Sequence, residues 1–83
     1  MGDIKKWFFT FGTYLGFPFQ RGWVEIEAPT REQAVQVFRA YWPDRTPGTV
    51  NCAFIYSEDE FKETRMYKGE YPEEHCHAKV FYE

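Results

Sequence analysis

The chain has 83 residues and a net charge of −3, and 22% of it is aromatic: nine Phe, six Tyr and three Trp. That length makes one domain whose core is only marginally sufficient, and the negative charge argues against non-specific binding to a nucleic-acid backbone. Each buried ring removes roughly 150–250 Å² from water, so the rings can hold a small core and exceed what one short helix can cover; surplus aromatic surface marks a partner, a ligand or a second copy of the chain.

Lys5 to Gly12 reads as the first strand, with Trp7, Phe9 and Phe11 on one face and Lys6, Phe8 and Thr10 on the other. Thr13 to Gly22 is a loop of Gly16, Pro18 and Gly22 interleaved with Tyr14, Leu15, Phe17 and Phe19. Loops at a surface are polar as a rule. This one either folds back over the end of the core or forms a flexible aromatic rim around a binding site, with Gln20 and Arg21 supplying polar contacts. Trp23 to Ala28 is the second strand: Val24, Ile26 and Ala28 point inward, Trp23, Glu25 and Glu27 outward.

The strongest helix signal runs from Thr30 to Trp42. Thr30-Arg31-Glu32-Gln33 is a capping box, apolar residues recur at Ala34, Val35, Phe38, Tyr41 and Trp42, and Pro43 stops the helix. Pro43 to Gly48 is a turn-rich connection. Val50 to Tyr56 reads as the third strand, with Cys52, Phe54 and Tyr56 on one face. Ser57-Glu58-Asp59-Glu60 opens a short second helix that ends near Arg65. Met66 to Cys76 is a loop punctuated by Gly69 and Pro72, and Ala78 to Tyr82 is the last strand.

The expected fold is therefore a single α+β domain over residues 1–83: a small antiparallel sheet of about four strands in ββαβ(α)β order, covered on one face by a single main helix. A helix covers one face only. An antiparallel sheet with a wet second face should alternate apolar and polar residues, yet Phe8, Trp23 and Phe81 all fall opposite the inward set. These three mark a candidate oligomer or partner face.

Residues 1–49 carry six basic and five acidic side chains, residues 50–83 four and eight. No apolar run is long enough to span a bilayer, the N-terminal residues have no secretory h-region, and Met1-Gly2-Asp3 is not followed by the Ser or Thr of a myristoylation signal. The expected setting is the cytoplasm, where Cys52 and Cys76 stay reduced.

His75-Cys76-His77 has metal-ligand residue types without the spaced pairs of a structural zinc site. The expected reading is a strand-edge histidine pair or a packed cysteine, with no metal and no cofactor. Glu58, Asp59, Glu60 and Glu63 read as a solvated helix face, and Glu73 and Glu74 fall in a loop; none has the apolar flanks that raise a carboxyl pKa for acid catalysis. Gly12, Gly16 and Gly22 are too far apart for a phosphate loop. No catalytic residue is assigned, and the chain is read as a non-enzyme.

Recognition remains. Arg21, Arg45, Arg65 and Lys68 fall in or beside loops, near Tyr14, Phe17, Phe19, Trp23 and Tyr67. Arginine with aromatic rings clamps a nucleotide and is equally the composition of protein–protein hot spots. The candidate ligand-binding set is Tyr14, Phe17, Phe19, Arg21, Trp23, Arg45 and Arg65. A further reading uses the acidic second half as a decoy for a basic groove.

Lys6-Trp7-Phe8-Phe9-Thr10-Phe11-Gly12 and Val24-Glu25-Ile26-Glu27-Ala28-Pro29-Thr30-Arg31-Glu32-Gln33-Ala34, with the acidic Tyr56 to Phe61 stretch after the third strand, resemble a loose group of short proteins of bacteriophages and integrated mobile elements. The resemblance covers about half of the chain, and its motifs are structural rather than catalytic. It implies an antagonist of host immunity in the bacterial cytoplasm: an oligomer that sequesters a nucleotide-type immune signal, or a direct inhibitor of a host defence protein, as anti-CRISPR proteins are. A phage accessory protein with no defence role is the third possibility.

Overall fold

In the computed structural model, residues 3–70 and 75–81 are described. Met1, Gly2, Pro72, Glu73, Glu74 and Tyr82, which carry parts of the expectations above, lie outside them. The chain order is β1 (Lys5–Thr10), β2 (Trp23–Ala28), α1 (Arg31–Tyr41), β3 (Phe54–Ser57), α2 (Glu58–Phe61) and β4 (Cys76–Phe81). The result is the small α+β fold with one main helix.

The sheet is mixed rather than antiparallel, in the order β3-β1-β2-β4. β1 pairs antiparallel with β2 (Trp7 opposite Ile26, Phe9 opposite Val24) and with β3 (Phe9 opposite Ile55), whereas β4 runs parallel to β2. The cause lies in the connections. β2 and β3 flank β1 and point the same way, so α1 carries the chain across the first face. β4 joins the edge opposite β3, and the sequence separation between the two strands is long enough to permit a parallel crossover. A chain of tight hairpins would have given only antiparallel neighbours.

α1 forms where its cap signals place it. The Thr30 hydroxyl accepts from the Gln33 amide at 3.2 Å and donates to the Gln33 side-chain oxygen at 3.2 Å. Ala34 and Phe38 are buried, with Val35, Val37 and Trp42 against the core; Tyr41, expected in the stripe, points to solvent. Beyond the helix, Arg39 Nε donates to Asp44 Oδ1 at 3.1 Å. The first-face core joins Phe9 and Phe11 of the β1 segment to Val24, Ile26 and Ala28 of β2, Ile55 of β3 and Phe38 of α1. The Phe9 and Phe38 rings stack at 4.6 Å.

β3 is shorter than expected. Residues 50–53 bend, with the Cys52 amide donating to the Val50 carbonyl at 2.8 Å, and the ladder is joined only when the Ala53 amide reaches the Thr10 carbonyl at 2.8 Å. The second helix is also shorter, closing at Phe61, with turns rather than helix through Arg65. Its start carries a full capping box: the Ser57 hydroxyl accepts from the Glu60 amide, and the Glu60 carboxylate accepts from the Ser57 amide at 2.9 Å. That backbone hydrogen bond holds the Glu60 carboxyl below its ordinary range. No helix among the described residues is long and apolar enough to cross a membrane.

Candidate binding groove on the second sheet face

The registers place Phe54 and Tyr56 of β3, Phe8 of β1, Trp23 and Glu25 of β2 and Lys79 of β4 on the face away from α1. Four rings in six residues cannot stand in water alone, and the chain covers some of them itself. Phe61, the one apolar side chain of α2, is 2% exposed. Its ring stacks on Phe8 at 4.1 Å with 3° between planes, and meets Trp23 at 5.1 Å, Tyr56 at 6.2 Å and Tyr67 at 6.2 Å. Phe8, in the expected partner face, is thus buried within the monomer at 6% exposure. Trp23 is half-buried in the same cluster, and Phe81 is exposed at the β4 edge.

α2 lies over β1 and β3 and leaves the β2–β4 half open. There a groove of about 410 Å³ forms. Its apolar wall is Phe8, Trp23, Phe61 and Tyr67; its charged groups are Lys6, Lys62, Lys79, Glu25 and Glu58, with Cys76 at one end. Glu25 sits between Phe8 on β1 and Lys79 on β4. Its neighbours leave it 9% exposed.

The expected ligand-binding residues do not converge. Phe17 and Phe19 pack on the first-face core, with Phe11 at 6.2 and 5.5 Å, and Tyr14 caps Phe17 edge-on at 5.0 Å from an exposed position. The loop therefore folds over the end of the core, and Gln20 serves it internally by donating to the Tyr14 and Phe17 carbonyls. Trp23 faces the opposite side of the sheet. Arg45 is exposed in the connection after α1, and Arg65 is exposed beyond α2. Sequence reasoning missed Glu25, Lys6, Lys62 and Lys79; the signal for them was Trp23 and Glu25 sharing the β2 face opposite Val24 and Ile26.

The histidine run is explained by a bulge. Cys76 pairs with Trp23 and Ala78 with Val24, so His77 is the extra residue and turns away from the groove. Its ring stacks on Phe19 at 4.2 Å and 6°, its Nε2–H donates to the Arg21 carbonyl at 2.7 Å, and the His75 ring meets it at 4.4 Å. Arg21, at φ 63°, and Gly22, at φ 77°, form the turn that this histidine closes. Among the described residues no group of three or more His, Cys, Asp or Glu side chains is placed to hold a metal ion. Burial pushes the Cys52 thiol up to about 11, Arg31 opposing and Asp44 adding. It therefore stays a thiol at neutral pH, without the thiolate that attacks or ligates.

Comparison with protein-family models, with curated proteins and with solved structures found no match to this chain.

Proposed function

We propose that the protein is a non-catalytic binding protein that sequesters a small nucleotide-type ligand in the second-face groove. The observation that carries this reading is the combination in one groove of the accessible rings of Trp23 and Tyr67 with three lysines (Lys6, Lys62, Lys79). Rings of this kind stack on a base, worth about 1–3 kcal/mol per base, and ammonium groups take the phosphate. The site differs from the Arg21 loop expected from sequence, because Phe17 and Phe19 of that loop are spent on the core while Trp23 and Tyr67 line the groove. The resemblance to short phage proteins supports a role in antagonising host immunity by removing a nucleotide signal from the bacterial cytoplasm.

A second reading, direct inhibition of a host defence protein, is favoured by exposed Phe54 and Phe81 on the two edge strands. Edge strands carrying exposed apolar side chains pair readily with another chain. A second copy of the protein docking on these edges is the homo-oligomer of the sequestration reading.

The test is a fluorescence titration with a panel of purine and pyrimidine mononucleotides at low salt. Binding in the groove quenches Trp23, and Trp23→Phe removes that quench while Trp7 and Trp42 still report the fold. No quench by any nucleotide would refute the reading; a quench that survives Trp23→Phe would move the site off this face.

A further inference from the structure

We infer that the groove selects guanine over other bases, with the Glu25 carboxylate as the group that reads the base. This selectivity rests on the nucleotide reading of the groove and names its ligand class.

Glu25 is a carboxylate nine-tenths buried on the wall of an open groove. No described residue gives it a hydrogen bond or an ion pair, Lys79 being its neighbour in register but not within bonding distance. No buried side-chain oxygen or nitrogen lacks a partner among the described residues. The Glu25 oxygens therefore reach the groove space rather than being sealed beneath it. A carboxylate open to the groove and without a donor from the protein is free to accept hydrogen bonds from a ligand that brings its own donors.

The composition of the groove decides which donors. A free organic cation suits a carboxylate among rings, but three ammonium groups at the rim would repel it. A plain anion suits the lysines and is repelled by Glu25 and Glu58. One ligand satisfies both the carboxylate and the lysines when it is planar, carries adjacent N–H donors on one edge and ends in an anion. Guanine presents N1–H and the N2 amino group side by side, the donor pair that two carboxylate oxygens accept together. Adenine presents an acceptor at N1, which faces the carboxylate with lone pair against lone pair. With the guanine edge on Glu25, the same groove offers Trp23 and Tyr67 for its ring and Lys6, Lys62 and Lys79 for its phosphate.

The experiment is calorimetric titration of the whole chain with guanosine, inosine and adenosine 5′-monophosphates, in wild type and in Glu25→Gln. The expected result is guanosine monophosphate binding at least about tenfold tighter than adenosine monophosphate, the size of a charge-assisted hydrogen bond, with the inosine nucleotide between them because it lacks the N2 donors. In Glu25→Gln the guanine and adenine affinities come within about twofold of each other, while the adenine nucleotide is bound no more weakly than before. Equal wild-type affinities for the three overturn the inference and leave the nucleotide reading standing, as does a guanine preference unchanged in Glu25→Gln. Failure of all three to bind overturns the guanine selectivity; the nucleotide reading falls with it only when the pyrimidine mononucleotides fail as well. The wild-type series is decisive even if the variant does not fold.

Discussion

Phe61→Ala is expected to destabilise the protein by about 3–5 kcal/mol, the range for removing a buried phenylalanine. A domain of this size has roughly 5–15 kcal/mol in total, so the variant stands at the edge of unfolding. The reason is local. α2 is a helix of four residues, far below the length at which a helix holds itself together. Its capping box sets the start, and Phe61 fastens it to the sheet, through rings at 4.1 Å from Phe8 and 5.1 Å from Trp23. Removing that ring exposes Phe8, frees Trp23 and takes away one wall of the groove. Urea unfolding followed by tryptophan emission measures the change, and a loss under about 0.5 kcal/mol, typical of surface positions, would show that the second face has no core of its own. Phe61→Leu, which keeps most of the volume, is expected to lose less than half as much.

The second large effect falls at Gly22. Its φ of 77° is in the left-handed region, and a Cβ there would overlap the His75 carbonyl oxygen and lie 2.6 Å from His77 Nε2. That carbonyl accepts the Trp23 amide at 3.0 Å, where the parallel β2–β4 pairing begins, and the Gly22 carbonyl itself accepts from the Phe11 amide at 3.1 Å. Gly22→Ala must therefore bear backbone strain of about 1–2 kcal/mol and also displace the start of β4. A total of about 3 kcal/mol or more is expected. Gly48 is the control: its φ is 79° and an added Cβ would meet nothing within 4 Å. Gly48→Ala should show the strain alone, and equal melting-temperature losses for the two alanines would contradict the packing assigned to His75 and His77.

Much of this architecture is legible in the sequence because its signals are local. Val24, Ile26 and Ala28 alternate with charged neighbours, and Thr30 with Gln33 marks the start of α1; both patterns operate within a few residues of chain. The direction and place of β4 are not local. Nothing in Cys76 to Phe81 says which edge it joins, and a long connection leaves both edges reachable. The bend at residues 50–53 is hidden because Val50, Cys52 and Phe54 imitate a strand's alternation.

The site is harder to read than the fold. Phe17 and Phe19 resemble a ligand rim because loop residues are expected at the surface; they are instead part of the lid over Phe11 and Trp42. Phe61 falls at the end of a helix that reads as solvated and acidic, although one ring among Glu58, Asp59 and Glu60 is the residue such a helix has to bury. Glu25 has the pattern of an outward charge. Its burial is produced by Phe8 across one strand and β4 across the other, contacts made by residues 17 and 54 positions away in sequence.

Native mass spectrometry of the protein recovered from bacteria with an active nucleotide-signalling defence is the most direct measurement of the central claim. The folded chain, as monomer or multimer, is expected to carry an added mass of nucleotide size that Trp23→Phe or Lys79→Ala weakens, and that is identified as a guanine compound on release. A ligand-free protein bound in fixed stoichiometry to a host protein would contradict sequestration and assign the exposed edges, not the groove, as the working surface.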